Sequence, residues 1–150
     1  MADEVFVDVD VRDGELDLPA AIAGASDPGL GGIAVFVGTV RDSPAVAENA
    51  DKEVTSLDYE AHPVLAKKRL EAIARAAAEK WDVRRIVAHH RSGHCEVGEA
   101  TVVIACGAPH RADALEACRY IIDTVKSQVP IWKREGYADG SSWVGAEGEA

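Results

Sequence analysis

Residues 107–135 read "GAPHRADALEACRYIIDTVKSQVPIWKRE", and this stretch contains the features that decide the fold. Pro109 predicts the start of a helix. The apolar residues that follow recur at helical spacing: Leu115, Cys118, Ile122 and Val125. Pro130 removes a backbone donor and disfavours helical geometry at the residue before it. We therefore expect a helix that ends near Gln128, then a turn and a second short segment.

Lys126 and Lys133 lie seven residues apart, on either side of this break. Lysines placed in this way can converge on one point from two different elements. Lys126 follows Ile122 by four residues, so it lies at the edge of the apolar stripe, where a lysine can also simply reach solvent. Lys133 is next to Arg134, and a partly buried amine beside another cation is suited to proton transfer. The pattern indicates a site, but it leaves the solvent-exposed alternative open.

The rest of the chain predicts an α+β fold with mixed or antiparallel strands and about three helices. Strand patterns occur in "EVFVDVDV", "GGIAVFVGTV", "VTSLDYEA", "RRIVAHHR" and "EATVVIACG". The second of these is apolar throughout, which is typical of a strand covered on both faces. "SGHCEVG" reads as a hairpin-like connection, and helices are expected near Pro19 and over 63–81. We expect a single domain over 1–150, with a mobile loop at 42–54 and a flexible acidic tail at 145–150.

The composition restricts the possible ligands. Sixteen basic and 26 acidic residues give a net charge of −10, which argues against sequence-independent binding to nucleic acid. An anionic small molecule would need a local basic pocket. The three cysteines show no CxxC spacing, no apolar run approaches the ~20 residues of a membrane span, and the N-terminus does not resemble a signal peptide. We predict a cytoplasmic protein.

Two further places carry side chains suited to anions. His110 and Arg111 follow Gly-Ala-Pro at a predicted helix N-terminus, where free N–H groups and the helix dipole favour negative charge. Arg41 stands where a strand gives way to a loop. Each could equally be an ordinary exposed polar residue.

The segment "HHRSGHC" contains possible metal ligands, but the sequence favours no metal site there. His89 and His90 are adjacent on a predicted strand and so point to opposite faces. His94 and Cys95 complete no convincing set of four ligands. The chain contains no GxGxxG, P-loop or GxSxG motif either.

The chain resembles the large, catalytic subunit of molybdopterin synthase in four fragments that follow the same order: "FVGTVRD", "LDYEAHP", "GAPHRADALEACRYIIDTVKSQVPIWKRE" and "WVG". The similarity runs from about Gly31 to Val144. It implies an alpha/beta-hammerhead-like fold and a sulfurtransferase that forms the dithiolene of molybdopterin from cyclic pyranopterin monophosphate (precursor Z), in molybdenum cofactor biosynthesis. It also implies a small ubiquitin-like sulfur-carrier partner with a C-terminal Gly-Gly thiocarboxylate, a homodimer within a heterotetramer, and no cofactor for the transfer itself.

The same resemblance assigns roles to individual residues. It implies that Lys126 and Lys133 are catalytic. It implies that Arg41, His110 and Arg111 bind substrate, and we include Arg134, the basic neighbour of Lys133, in this set. Two alternatives remain: a non-catalytic α+β module that binds an anionic metabolite, and a zinc-dependent hydrolase built on the histidines.

Overall fold

The computed structural model describes residues 4–44, 52–138 and 140–146, and for 141–146 it describes the backbone. The elements in chain order are β1 (Phe6–Asp13), α1 (Leu18–Gly24), β2 (Gly32–Thr39), β3 (Val54–Ala61), α2 (Pro63–Lys80), β4 (Arg85–Glu96), β5 (Ala100–Ala108), α3 (Arg111–Gln128), β6 (Ile131–Tyr137) and β7 (Gly140–Ala146). The predicted α+β class is confirmed, and so is the predicted order as far as α3.

The strands form two sheets that share β4. In the first sheet the order is β2-β5-β4-β1, and β1 runs parallel to β4 while the other pairs are antiparallel. In the second sheet the last residues of β4 pair with β3, which pairs with β6, which pairs with β7, all antiparallel. The expectation of mixed strands therefore holds.

The helices cover the first sheet on both faces. Ile86 and Val87 are successive residues of β4 and belong to two different apolar cores, so the cores lie on opposite faces of the strand. The larger core lies beneath α2 and α3, which pack against β1 and against β2 and β5, respectively. The smaller core includes Ala21 of α1. β2 forms one edge of the first sheet: it pairs with β5 on one side and has no partner strand on the other among the described residues.

The structure corrects four sequence predictions, two of which concern burial. β2 is not covered on both faces, because it is an edge strand: Ile33, Val35 and Phe36 are each more than a third exposed. Leu115 is 58% exposed, since the buried stripe of α3 passes through smaller residues beside it, such as Ala114 and Ala117.

The structure also contains more strand than we predicted, at two places in the chain. β4 continues through most of the expected connection and ends at Glu96, and the chain after Pro130 forms the strands β6 and β7 rather than one short segment. The expected end of α3 at Gln128 is confirmed, and Pro130 lies between α3 and β6.

The expected loop at 42–54 and tail at 145–150 lie partly outside the described residues, which omit 45–51 and 147–150. At the base of the loop, the Val54 N–H donates to the Asp42 carbonyl at 2.8 Å. No helix in the described ranges is long and apolar enough to cross a membrane.

Candidate active site

A cavity of about 380 Å³ lies between the two sheets, next to the C-terminal end of α3. Its wall on the first sheet comes from the end of β2 and the start of β5, and its wall on the second sheet comes from β3 and β6. The lining residues are Phe36, Val37, Gly38, Thr39, Arg41, Leu57, Tyr59, Thr101, Lys126, Lys133 and Glu135. The volume suits a small organic ligand.

Both lysines singled out in the sequence line this cavity. Lys126 lies in the last turn of α3 and is partly buried. Lys133 lies on β6, and the first residue of this strand, Ile131, is fully buried. Because alternate residues of a strand share a face, Lys133 and Glu135 follow Ile131 on the side of the core. The break at Pro130 therefore lets two elements present amines to one space.

The cavity is electropositive in an acidic chain. Among the described residues that line it, Arg41 joins the two lysines against a single carboxylate, that of Glu135. Glu135 is only 3% exposed, and the Tyr137 hydroxyl donates a hydrogen bond of 2.7 Å to its Oε1. A buried carboxylate held in this way partly balances the cations and restrains the end of β6. The arrangement can bind an anion and can move protons beside it.

Sequence reasoning missed Glu135 and Tyr59, which also line the cavity. Glu135 lies two residues after Lys133, so the period of two along a strand places both on one face once β6 is recognised as a strand. Tyr59 is paired with Lys133 across β3 and β6. The signal was hidden because β6 was not recognised as a strand.

Arg134, predicted to bind substrate, does not line the cavity. It follows Lys133 on β6, so its side chain points to the opposite face of the strand. There its Nη2 lies 3.8 Å from Oδ2 of Asp58 on β3. The Oδ1 of that carboxylate also contacts Nδ1 of His94, at 2.9 Å.

His110 and Arg111 are also away from the cavity within one chain. Both are exposed at the start of α3. Arg111 precedes Lys126 by fifteen residues of continuous helix, which corresponds to about 22 Å at 1.5 Å per residue. The structure thus brings together Arg41, Lys126 and Lys133, and it separates His110, Arg111 and Arg134 from them.

The histidines and Cys95 of "HHRSGHC" do not converge. His89 contacts Asp8, the buried His90 ring lies edge-on to Tyr59 at 5.2 Å, and Cys95 is fully buried. Within the described ranges no group of three or more His, Cys, Asp or Glu side chains could hold a metal ion.

His94 lies in a cluster of charges on the outer face of the second sheet. Its two ring nitrogens contact the carboxylates of Glu96 and Asp58. The hydrogen bond to Glu96 and, to a smaller extent, the hydrogen bond to Asp58 raise the pKa of His94 from its ordinary value of 6.5. The ring therefore carries positive charge over a wider pH range than a free histidine does.

The cysteines are poor nucleophiles. Burial raises the pKa of Cys95, and a hydrogen bond with Cys118 together with burial raises the pKa of Cys106. All three cysteines are buried and unbridged. The hydrogen bond with Cys106 lowers the pKa of Cys118, but this thiol is buried and does not line the cavity. Because the thiolate is the reactive form and must reach the substrate, none of the three thiols is suited to covalent catalysis.

A larger cavity of about 720 Å³ lies near the start of α1, and the charged residues that line it are mainly acidic. One cation, Arg12, faces three carboxylates, those of Glu15, Asp17 and Glu99. This charge balance does not suit an anionic ligand.

Comparison with known proteins identifies the family. The model of the MoaE protein family matches residues 11–128. The chain is 45% identical over 135 residues to the molybdopterin synthase catalytic subunit of Oryza sativa subsp. indica, covering 90% of this chain and 67% of the relative. The X-ray structure of molybdopterin synthase from Staphylococcus aureus matches with a TM-score of 0.83 and 31% identity, over 91% of this chain and 96% of the other.

A further solved structure shares the fold. It is a complex of subunits 1 and 2 of molybdopterin-converting factor from Helicobacter pylori 26695, and it matches with a TM-score of 0.72 and 24% identity over 91% of this chain and 89% of that chain. The family model and the rice relative each span most of the present chain. The chain belongs to the MoaE protein family.

Proposed function

We propose that this chain is the catalytic subunit of a molybdopterin synthase. It transfers sulfur from the C-terminal thiocarboxylate of a small ubiquitin-like carrier to cyclic pyranopterin monophosphate, and so forms the dithiolene of molybdopterin. The observation that carries this proposal is the meeting of Lys126 and Lys133, from two different elements, in one cavity of a MoaE-family chain.

The charge of the cavity supports an anionic substrate. The substrate brings a phosphate and the carrier brings a C-terminal acyl group, whereas the chain as a whole has a net charge of −10. The three lining cations, Arg41, Lys126 and Lys133, provide the local attraction that both reactants need. Arg41, which is exposed and follows β2, is placed to bind the phosphate in a forked geometry.

The two lysines divide the chemistry of the transfer. Each transfer ends when water cleaves the bond between the sulfur and the carrier's acyl carbon, so that the carrier leaves with a carboxylate, and a second carrier supplies the second sulfur of the dithiolene. As the thiocarboxylate sulfur adds to the pterin side chain, negative charge develops and a proton moves. Lys126, held by a rigid helix, stabilises this charge and assists the proton transfer. Lys133, on β6, orients the substrate or the carrier tail beside it and shares the acid–base role. The transfer needs no cofactor of its own.

A homodimer would place His110 and Arg111 near a cavity. The start of α3 packs closely on the start of β2: a Cβ on Gly31 would lie 2.6 Å from the Pro109 carbonyl oxygen. The cavity lies at the other end of β2. If two copies pair antiparallel along their β2 edges, the start of each β2 lies opposite the end of the other.

The surface of β2 favours this pairing. Its exposed residues Ile33, Val35 and Phe36 are apolar, and an exposed apolar edge strand is a template for another strand. We therefore propose that His110 and Arg111 of one copy bind substrate in the cavity of the second copy. With a carrier at each cavity, the assembly is a heterotetramer, and we place it in the cytoplasm.

The test is turnover with purified components. Wild-type protein, thiocarboxylated carrier and cyclic pyranopterin monophosphate should give dithiolene-containing pterin, and Lys126→Ala should reduce the rate by about a hundredfold or more. Lys68→Ala, which removes an exposed lysine of α2, is the matched control and should leave the rate unchanged. Substrate binding without any turnover in the wild type would instead support a non-catalytic binding module.

A further inference from the structure

The relative position of the two lysines depends on how the two sheets are held together. Lys126 is on α3, which packs against β2 and β5 of the first sheet. Lys133 is on β6 of the second sheet. Among the described strands, β4 is the one that belongs to both sheets, since Arg85–Ser92 pair with β1 and the following residues pair with β3. A rotation within β4 would therefore move one lysine relative to the other.

The change of partner in β4 occurs at a glycine. Gly93 has a φ of +85°, a conformation that side chains rarely adopt. It is the first residue of β4 that pairs with β3, where it lies opposite Tyr59, a residue of the cavity wall. We call residues 91–94 the β4 junction.

Arg91 spans the β4 junction with its side chain. The guanidinium is almost fully buried, with 7% of the side chain exposed. Its Nη2 donates a hydrogen bond of 2.9 Å to the His94 carbonyl, and its Nη1 lies 3.5 Å from Oε2 of Glu99. It therefore ties a residue that pairs with β1 to a residue that pairs with β3. Burying a guanidinium is costly, so a hydrophobic residue would be the simpler choice for packing alone.

We propose that Arg91 is a positioning residue for sulfur transfer, which fixes the β4 junction and thereby the placement of Lys133 relative to Lys126. This inference rests on the proposed function. Arg91 does not line the cavity and so does not touch substrate. Its effect is transmitted through β4 and β3 to β6, which pair in that order. A displacement of about 1 Å in a catalytic group can reduce the rate about a hundredfold.

The first arm of the test is kinetic and compares Arg91→Met with Arg75→Met. Arg75 also binds a backbone carbonyl, that of Val5 at 3.0 Å, but it connects α2 to the first sheet and not the two sheets. At a temperature where all variants are folded, Arg91→Met should lower kcat at least about tenfold and change KM for the pterin less than about threefold. Arg75→Met should retain the wild-type kcat. Equal rates for both variants would overturn the proposal, and Arg91→Lys replaces Arg91→Met if the latter does not fold.

The second arm measures amide hydrogen exchange in the isolated chain, and it does not depend on activity. Arg91→Met should accelerate exchange in β3 and β6 relative to β2 and β5, because the second sheet is released from the first. Uniform acceleration in all four strands would show a merely structural role, and no acceleration would show no role; either overturns the proposal. Failure of wild-type turnover would refute the proposed function alone, since this arm would still decide whether Arg91 holds the junction.

Discussion

Lys133 and Arg134 are adjacent on β6, and the structure predicts opposite consequences for their removal. Lys133 faces the cavity, whereas Arg134 faces Asp58 on the outer side of the second sheet. Lys133→Ala should lower turnover by about a hundredfold or more, which corresponds to about 2.7 kcal/mol of activation free energy. Its free energy of unfolding should fall by less than that amount, because the side chain is only partly buried and lies in a cavity wall rather than in the core.

Arg134→Ala should show the reverse pattern. The ion pair to Asp58 is 3.8 Å long and joins side chains that are 43% and 33% exposed, so it contributes at most about 1 kcal/mol to the free energy of unfolding. The expected loss in Tm is at most about 2–4 °C for a chain of this size. Turnover should stay within about fivefold of wild type, which is about 1 kcal/mol of activation free energy, because Arg134 does not line the cavity.

The assay is sulfur-transfer turnover measured beside urea unfolding on the same preparations. A folded Arg134→Ala variant that loses as much turnover as Lys133→Ala would refute the reasoning, because Arg134 would then have to reach the substrate. That result would also support the substrate-binding role that we predicted for Arg134.

Three further predictions concern other parts of the fold. Gly107→Ala should lower the free energy of unfolding by about 3 kcal/mol or more, measured by urea denaturation, because a Cβ there would lie 2.0 Å from the Ala25 carbonyl oxygen. Two neighbouring carboxylates raise the pKa of His94, so the stabilisation by protonated His94 is present at about pH 6 and is lost as the pH rises through the raised pKa. Urea unfolding should therefore show a larger stability difference between wild type and His94→Gln at about pH 6 than at about pH 9. Phe36→Asp should convert the proposed dimer to a monomer in light scattering, since Phe36 is 37% exposed on the β2 edge; an unchanged mass would exclude the proposed β2 pairing.

The sequence predicted the helices and the lysine pair because these depend on local rules. Helical spacing and Pro130 set the end of α3 near Gln128, and the same proline made it clear that Lys126 and Lys133 come from different elements. Their meeting in one cavity followed from that break.

The features that could not be predicted from the sequence depend on contacts between distant segments. "IWKREGY" has few apolar residues in alternation, and it becomes β6 because it pairs with β3 on one side and β7 on the other. The exposure of β2 could not be predicted, because an apolar run looks the same at the edge and in the middle of a sheet. Glu135 was missed for the same reason as β6.

The separation of His110 and Arg111 from the lysines is a consequence of helix length. An 18-residue helix places its first and last turns at opposite ends of the domain, although both carry residues of one predicted site. A single chain therefore accounts for only part of the predicted cation cluster, and the proposed second copy accounts for His110 and Arg111.

The most direct test of the central claim is single-turnover sulfur transfer with wild-type protein and Lys126→Ala. Thiocarboxylated carrier and cyclic pyranopterin monophosphate are mixed with each protein, and the dithiolene-containing pterin is quantified. The account predicts product from the wild type and at least about a hundredfold less from a folded Lys126→Ala variant. Absence of product from the wild type, with a carrier shown to be competent with a known synthase, would contradict it.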